Sequence, residues 1–136
     1  MLRQASCVAI DGRALLIEGP PGTGKSSLAL TLIDRGAVLV GDDGVRLEVA
    51  GERLVAHPPP NTGGLLEVRN VGLVEFPTFS APVALVLALD PDAPRYVEKA
   101  EKVEIAGHAI PYLRFDPALP GAAIRAEIAL CRHGIA

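Results

Sequence analysis

Apolar and polar positions change rhythm several times along this chain, and each change marks an element. Residues 5–10 and 14–18 read as strands, joined by the turn dipeptide Asp11-Gly12 into a hairpin. After a glycine-rich stretch, residues 27–33 form a helix-like run. A helix is predicted from about Lys25 to Asp34-Arg35-Gly36, with Gly36 as a left-handed cap. Residues 37–40 form a short buried-strand pattern that closes at residues 41–44. Residues 45–49 alternate as a half-buried strand does, residues 50–52 turn, and residues 53–56 return. Residues 57–64, His-Pro-Pro-Pro-Asn-Thr-Gly-Gly, suit neither a helix nor a central strand, because proline lacks an N–H donor and glycine loosens the chain.

Residues 65–69 and 70–76 are short apolar stretches that carry isolated charges, whereas residues 83–89 are continuously apolar and predict a central strand. Residues 94–102 are weakly helical or irregular. Strands follow at residues 103–105 and 110–115 around Gly107, and a closing helix spans residues 120–132 with Ile124, Ile128, Leu130 and Cys131 as its apolar positions. Three successive strands of antiparallel type argue against a purely parallel, doubly wound sheet. The expected class is α/β, with one mixed sheet that contains much antiparallel strand and one domain over residues 1–136.

Composition narrows the classes of function. Hydrophobic residues make up 49% and charged residues 21%, a globular balance. A formal net charge of -3 gives no support for nucleic-acid binding. Cys7 and Cys131 are the only cysteines and lack metal-ligand spacing, so two buried free thiols in a reducing cytosol are expected. The longest apolar run, residues 81–89, is interrupted by Pro82 and is shorter than the roughly 20 residues a membrane helix needs. The first residues show no signal-peptide pattern, and a cytoplasmic protein without a membrane partner is expected.

The candidate chemistry centres on Gly19, Pro20, Pro21, Gly22, Thr23, Gly24, Lys25 and Ser26, which match G-x-x-x-x-G-K-[ST] between a strand and a helix. Glycines let the backbone turn its N–H groups inward on phosphate oxygens, and the helix adds its positive N-terminal end. Lys25 is placed to reach β- and γ-phosphates, Ser26 to hold Mg²⁺, and Ser27 continues the loop. ATP and Mg²⁺ are the expected cofactors.

Such a loop needs a partner carboxylate, and two apolar strands end in aspartate. One leads to Asp42 and Asp43, the other to Asp90. A strand at residues 37–40 is expected to run beside the P-loop strand and bring Asp42 and Asp43 to the phosphate edge, where one carboxylate could hold metal and the other accept a proton. Asp90 stands where a Walker B carboxylate would. The pattern leaves both open, and either Asp-rich segment also fits a solvent turn. Glu67 and Arg69 follow the Pro/Gly loop. Arg69 is a candidate for stabilising transferred phosphate charge. His57, His108 and His133 are read as surface residues.

Taken together, four segments resemble the catalytic domain of the HPr kinase/phosphorylase family, in a short form without an N-terminal domain. They are residues 5–13 before the loop, the loop with Leu28-Ala29-Leu30, Arg35-Gly36 leading to Val40-Gly41-Asp42-Asp43, and residues 66–74, which resemble the family's E-[IV]-R-G-x-G-[IL] segment. The resemblance extends from about residue 3 to about residue 116. It implies a P-loop fold related to phosphoenolpyruvate carboxykinase, and an ATP-dependent kinase for a serine of HPr, a phosphocarrier of the sugar phosphotransferase system. Many members also remove that phosphate by phosphorolysis. It further implies Asp42 as the base, Asp43 beside it, Ser26, Asp43 and Glu67 on the metal side, Arg69 on the phosphate side, and a possible homo-oligomer. Gln4 stands where the family often has histidine, Ser27 where an acidic residue is common, and Asn70 where it has glycine. The alternatives are another P-loop small-molecule kinase or nucleotidase that uses Asp90, or a non-catalytic nucleotide sensor.

Overall fold

The computed structural model describes residues 1–136. In chain order the elements are β1 (Leu2–Arg3), β2 (Ser6–Ile10), β3 (Arg13–Glu18), α1 (Lys25–Asp34), β4 (Val38–Gly41), β5 (Val45–Ala50), β6 (Arg53–His57), β7 (Leu65–Val68), β8 (Gly72–Glu75), β9 (Ala81–Leu89), β10 (Glu101–Ile105), β11 (His108–Phe115) and α2 (Ala122–His133).

Strand β9 organises the sheet. It runs parallel to β3 on one side and to β11 on the other, and its first residues also pair antiparallel with β6. All other pairings are antiparallel, so the sheet is mixed, as its sequence pattern predicts. The apolar run of β9 reflects burial on both faces. One face, with Leu85, Leu87 and Leu89, packs with Leu15 and Ile17 of β3 under α1 and α2. The other, with Val83 and Val86, packs with Leu16, Val45, Leu47 and Leu54 under the curled β1–β5–β6 layer. The register slips between Ala14 and Leu15, which skips Ala84 and lets both Ala84 and Leu85 face the helices.

The hairpin of β2 and β3 turns on Asp11 and Gly12, both at positive φ (50° and 80°). This is the turn that the Asp-Gly dipeptide favours. Because a two-residue turn forces β2 against β3, β2 occupies the edge at which β4 was expected. Strand β4 pairs with β2 instead, so the expectation that it lies beside the P-loop strand is not met.

One further expectation is corrected. Cys7 is buried, but Cys131 is exposed. Ile124 and Ile128 of α2 are also exposed. Helix α2 meets the sheet through Ala126 and Leu130, with Ala122, Ala123 and Ala129 beside them. These small side chains let the helix sit close, and the larger isoleucines lie on the opposite face. Burial holds the Cys7 thiol well above its ordinary pKa. No helix is long and apolar enough to cross a membrane.

Candidate phosphate-transfer site

The C-terminal ends of the parallel strands β3, β9 and β11 lie along one edge of the sheet, the edge at which open α/β sheets bind ligands. The chain leaves β3 at Glu18, turns through residues 19–24 and enters α1 at Lys25. Gly22 and Gly24 take φ values of 80° and 101°, a region that side chains with a Cβ rarely adopt. A Cβ on Gly19 would lie 2.8 Å from Thr23 Oγ1, so the loop closes there only around a hydrogen. Thr23 Oγ1 donates to the Pro20 carbonyl at 2.7 Å and fixes the bend. Helix α1 has no side-chain cap and no acidic residue in its first turn. Its free N–H groups and positive end therefore face the loop's hollow, as an anion site requires. Lys25 Nζ donates to the Gly19 and Pro20 carbonyls at 2.8 and 3.1 Å, which folds the lysine over the loop.

Around this loop is a polar hollow of about 230 Å³ with no hydrophobic residue in its lining. It gathers Lys25, Ser26 and Ser27 from the loop and α1, Asp42 and Asp43 from the turn after β4, and Glu67 and Arg69 from the β7–β8 hairpin. Pro21, Gly22, Gly24 and Ser6 complete it. The residues that the sequence singled out in three separate segments thus share one space.

Asp42 is its centre. Oδ1 accepts hydrogen bonds from Ser26 Oγ at 2.7 Å and Ser6 Oγ at 2.8 Å, and Oδ2 accepts the Glu67 N–H at 3.3 Å. The carboxylate therefore ties the P-loop serine, strand β2 and hairpin β7–β8 together. Asp43 follows at φ 59°, in the left-handed region, and lines the same hollow. Gly41, immediately before, has no room for a side chain, because a Cβ would lie 2.2 Å from the Gly44 carbonyl oxygen and 2.9 Å from Pro59 Cδ. The Pro/Gly loop at residues 57–64 thus packs against the aspartate turn from behind.

Ser6 is the site residue that sequence reasoning missed. It is the one polar side chain that is fully buried, and a lone hydroxyl in the apolar run of β2 was the only available signal. Gln4 lies outside the hollow and is exposed. Asn70 has φ 69°, so it takes the left-handed turn that glycine would take. Asparagine tolerates this conformation better than most residues, and the hairpin keeps its shape.

Asp90 is placed differently. Its carboxylate accepts Arg114 Nε at 2.9 Å and the Asp92 N–H at 2.8 Å, and it does not line the hollow. The Asp92 N–H and the Arg114 side chain both favour its charged form and hold its pKa below the usual carboxylate value. Asp90 thus closes a strand-end turn.

Ser26, Asp42, Asp43 and Glu67 offer only hard oxygen donors, the type that Mg²⁺ takes. No three acidic, histidine or cysteine side chains converge into a ready-made metal cage.

Fold and loop together define a P-loop α/β protein. Residues 2–81 match the HPr Serine kinase C-terminal domain family. The chain is 46% identical over 70 residues to an HPr kinase/phosphorylase of Clostridium acetobutylicum, covering 52% of this chain and 23% of that protein. It is 44% identical over 72 residues to one from Shouchella clausii, again covering 52% and 23%. A solved HPr(Ser) kinase/phosphatase of Coxiella burnetii superposes with a TM-score of 0.80 at 26% identity, over 94% of this chain and 86% of that one. The chain belongs to the HPr serine kinase C-terminal domain family, and its match spans about a quarter of the length of its curated relatives.

Proposed function

We propose that this chain is a Mg²⁺- and ATP-dependent kinase that phosphorylates a serine of an HPr-type phosphocarrier protein. The observation that carries this reading is the Asp42 carboxylate, bonded to the P-loop Ser26 at 2.7 Å and sharing one polar hollow with Lys25 and Arg69. In this reading the loop amides and Lys25 hold the β- and γ-phosphates. Ser26, Asp43 and Glu67 would hold Mg²⁺, which when bound would neutralise charge on those phosphates. A carboxylate has about four lone-pair positions, and Asp42 spends three. The remaining one on Oδ2 accepts the proton of the incoming serine hydroxyl as its oxygen attacks the γ-phosphorus and ADP leaves. Arg69 forms no ion pair within the chain and is free to meet the charge on the transferred group.

Phosphorolysis, in which inorganic phosphate attacks the phosphoserine, would use the same hollow in reverse. The test is incubation with Mg²⁺-ATP and a purified HPr-type phosphocarrier, followed by mass spectrometry of the carrier. One phosphoserine is expected with the native chain and none with Lys25→Ala. ATP binding without any transfer would favour a nucleotide sensor instead.

A further inference from the structure

At the sheet edge opposite the P-loop, where the parallel strands β3, β9 and β11 begin, lies a hollow of about 330 Å³. Ligand pockets start at roughly 300 Å³, so this one is sized for a small molecule. Its floor is apolar. Leu54, Val83 and Ile110 reach it from the core under the curled β1–β5–β6 layer. Ile135, beyond the end of α2, forms one wall. That wall is pinned on both sides: the Ile135 N–H donates to the Ala84 carbonyl at 3.0 Å, and Arg13 Nη1 donates to the Ile135 carbonyl at 3.1 Å.

The polar side of the hollow carries two arginines. Arg13 and Arg53 both line it, and neither has a carboxylate partner within 4.0 Å. Arg13 is half-buried and spends Nη1 on the carbonyls of Leu130 and Ile135, which leaves its Nε and Nη2 donors over. Arg53 is exposed at the start of β6. A guanidinium partly withdrawn from water without a counter-charge is costly, and a planar carboxylate matches its donor fork. Glu52 and His108 are the other polar side chains in the lining. The acid repels a multiply charged phosphate ester more than it repels a monoanion.

We propose that this hollow is a binding site for a short aliphatic monocarboxylate, with its chain on Leu54, Val83 and Ile110 and its carboxylate on Arg13 and Arg53. The lining holds no phenylalanine, tyrosine or tryptophan on which a flat ring would stack, and its apolar side chains are all aliphatic. Burial of each methylene contributes about 0.8 kcal/mol, so a chain of a few carbons gains affinity from the floor while the arginines fix its charged end. The site lies at the far end of β3 and β9 from the phosphate loop and stands apart from the kinase reading.

The test is an amide chemical-shift titration of the whole chain with hexanoate and with hexan-1-ol, which has the same chain and no charge. Hexanoate is expected to shift the amides of residues 13, 53–54 and 108–110 and to bind at least tenfold more tightly than hexan-1-ol. Arg53→Gln removes an exposed guanidinium that holds no ion pair, so the fold is kept. In that variant hexanoate affinity falls at least fivefold and hexan-1-ol affinity is unchanged. Ala109 is an exposed lining residue, and Ala109→Leu, which fills the hollow, weakens both probes. Equal affinity for the two probes in the native chain, or an unchanged hexanoate affinity in Arg53→Gln, would overturn the carboxylate assignment. Hexanoate shifts confined to residues 19–27 would place the anion in the phosphate loop and overturn the second site, as would the absence of any shift.

Discussion

Replacing Asp42 by asparagine is the most informative single change, because it separates the charge of this side chain from its shape. The carboxamide can keep its oxygen toward Ser6 and Ser26, which retains the bonds now at 2.8 and 2.7 Å. Its NH2 then faces the Glu67 N–H, and the 3.3 Å bond becomes a contact between two donors. A hydrogen bond to a charged group contributes about 1.5–3 kcal/mol and a neutral one about 0.5–1.5. The two hydroxyl bonds therefore weaken by about 1 kcal/mol each, and the third is lost. Relief of repulsion among Asp42, Asp43 and Glu67 acts in the opposite direction. The net destabilisation is about 2 kcal/mol, a loss that lowers Tm by several degrees and leaves the chain folded. Loss of a general base lowers the rate by about 10²–10⁴-fold, or about 3–5 kcal/mol of transition-state stabilisation. The rate of phosphotransfer to an HPr-type carrier should therefore collapse at a temperature where circular dichroism shows a folded variant and calorimetry shows ATP bound within tenfold of native. A near-native rate, or a larger loss in Asp43→Asn than in Asp42→Asn, would refute the assignment of the base to Asp42.

Gly41→Ala should lower Tm and phosphotransfer together, because a Cβ 2.2 Å from the Gly44 carbonyl must push the aspartate turn aside; an unaltered Tm would show that the turn yields freely. Ser6→Ala should cost about 1 kcal/mol in chemical denaturation and lower kcat more than the KM for ATP, since Asp42 keeps Ser26 but loses its partner in β2. A thiol reagent under native conditions should label Cys131 rapidly and Cys7 only on unfolding. The same burial sets a pH trend. Only the unfolded chain can ionise Cys7 near the ordinary value of 9.0, so above it the unfolded state binds fewer protons and stability falls by up to about 1.4 kcal/mol per pH unit. Cys7→Ala should remove that contribution, and an unchanged alkaline slope in the variant would contradict it. Asp90→Asn should leave Mg²⁺-nucleotide binding within about twofold of native, because Asp90 is spent on Arg114; a collapse of binding would reinstate it as the metal-side carboxylate.

Much of the architecture is local in origin, and to that extent it was legible in the chain. The Asp11-Gly12 turn, the glycine-lysine-serine loop and the doubly buried run of β9 are each specified by neighbouring residues, through allowed backbone angles or a continuous apolar pattern. Residues 19–27, 42–43, 67 and 69 could be singled out because each stands beside such a local signal. Which acidic segment meets the loop was not local. Asp42 and Asp90 both end apolar strands, and only the strand order, with β2 wedged between β3 and β4, decides that the turn after β4 closes over Ser26 while Asp90 is taken by Arg114. Ser6 became visible only when packing buried it opposite Asp42, 36 residues away. The same holds for α2, where its apolar residues fit either face in sequence. The short side chains of Ala126 and Ala129 decide the facing, since they let the helix approach the sheet closely enough to bury Leu130 and leave Ile124 and Ile128 in solvent.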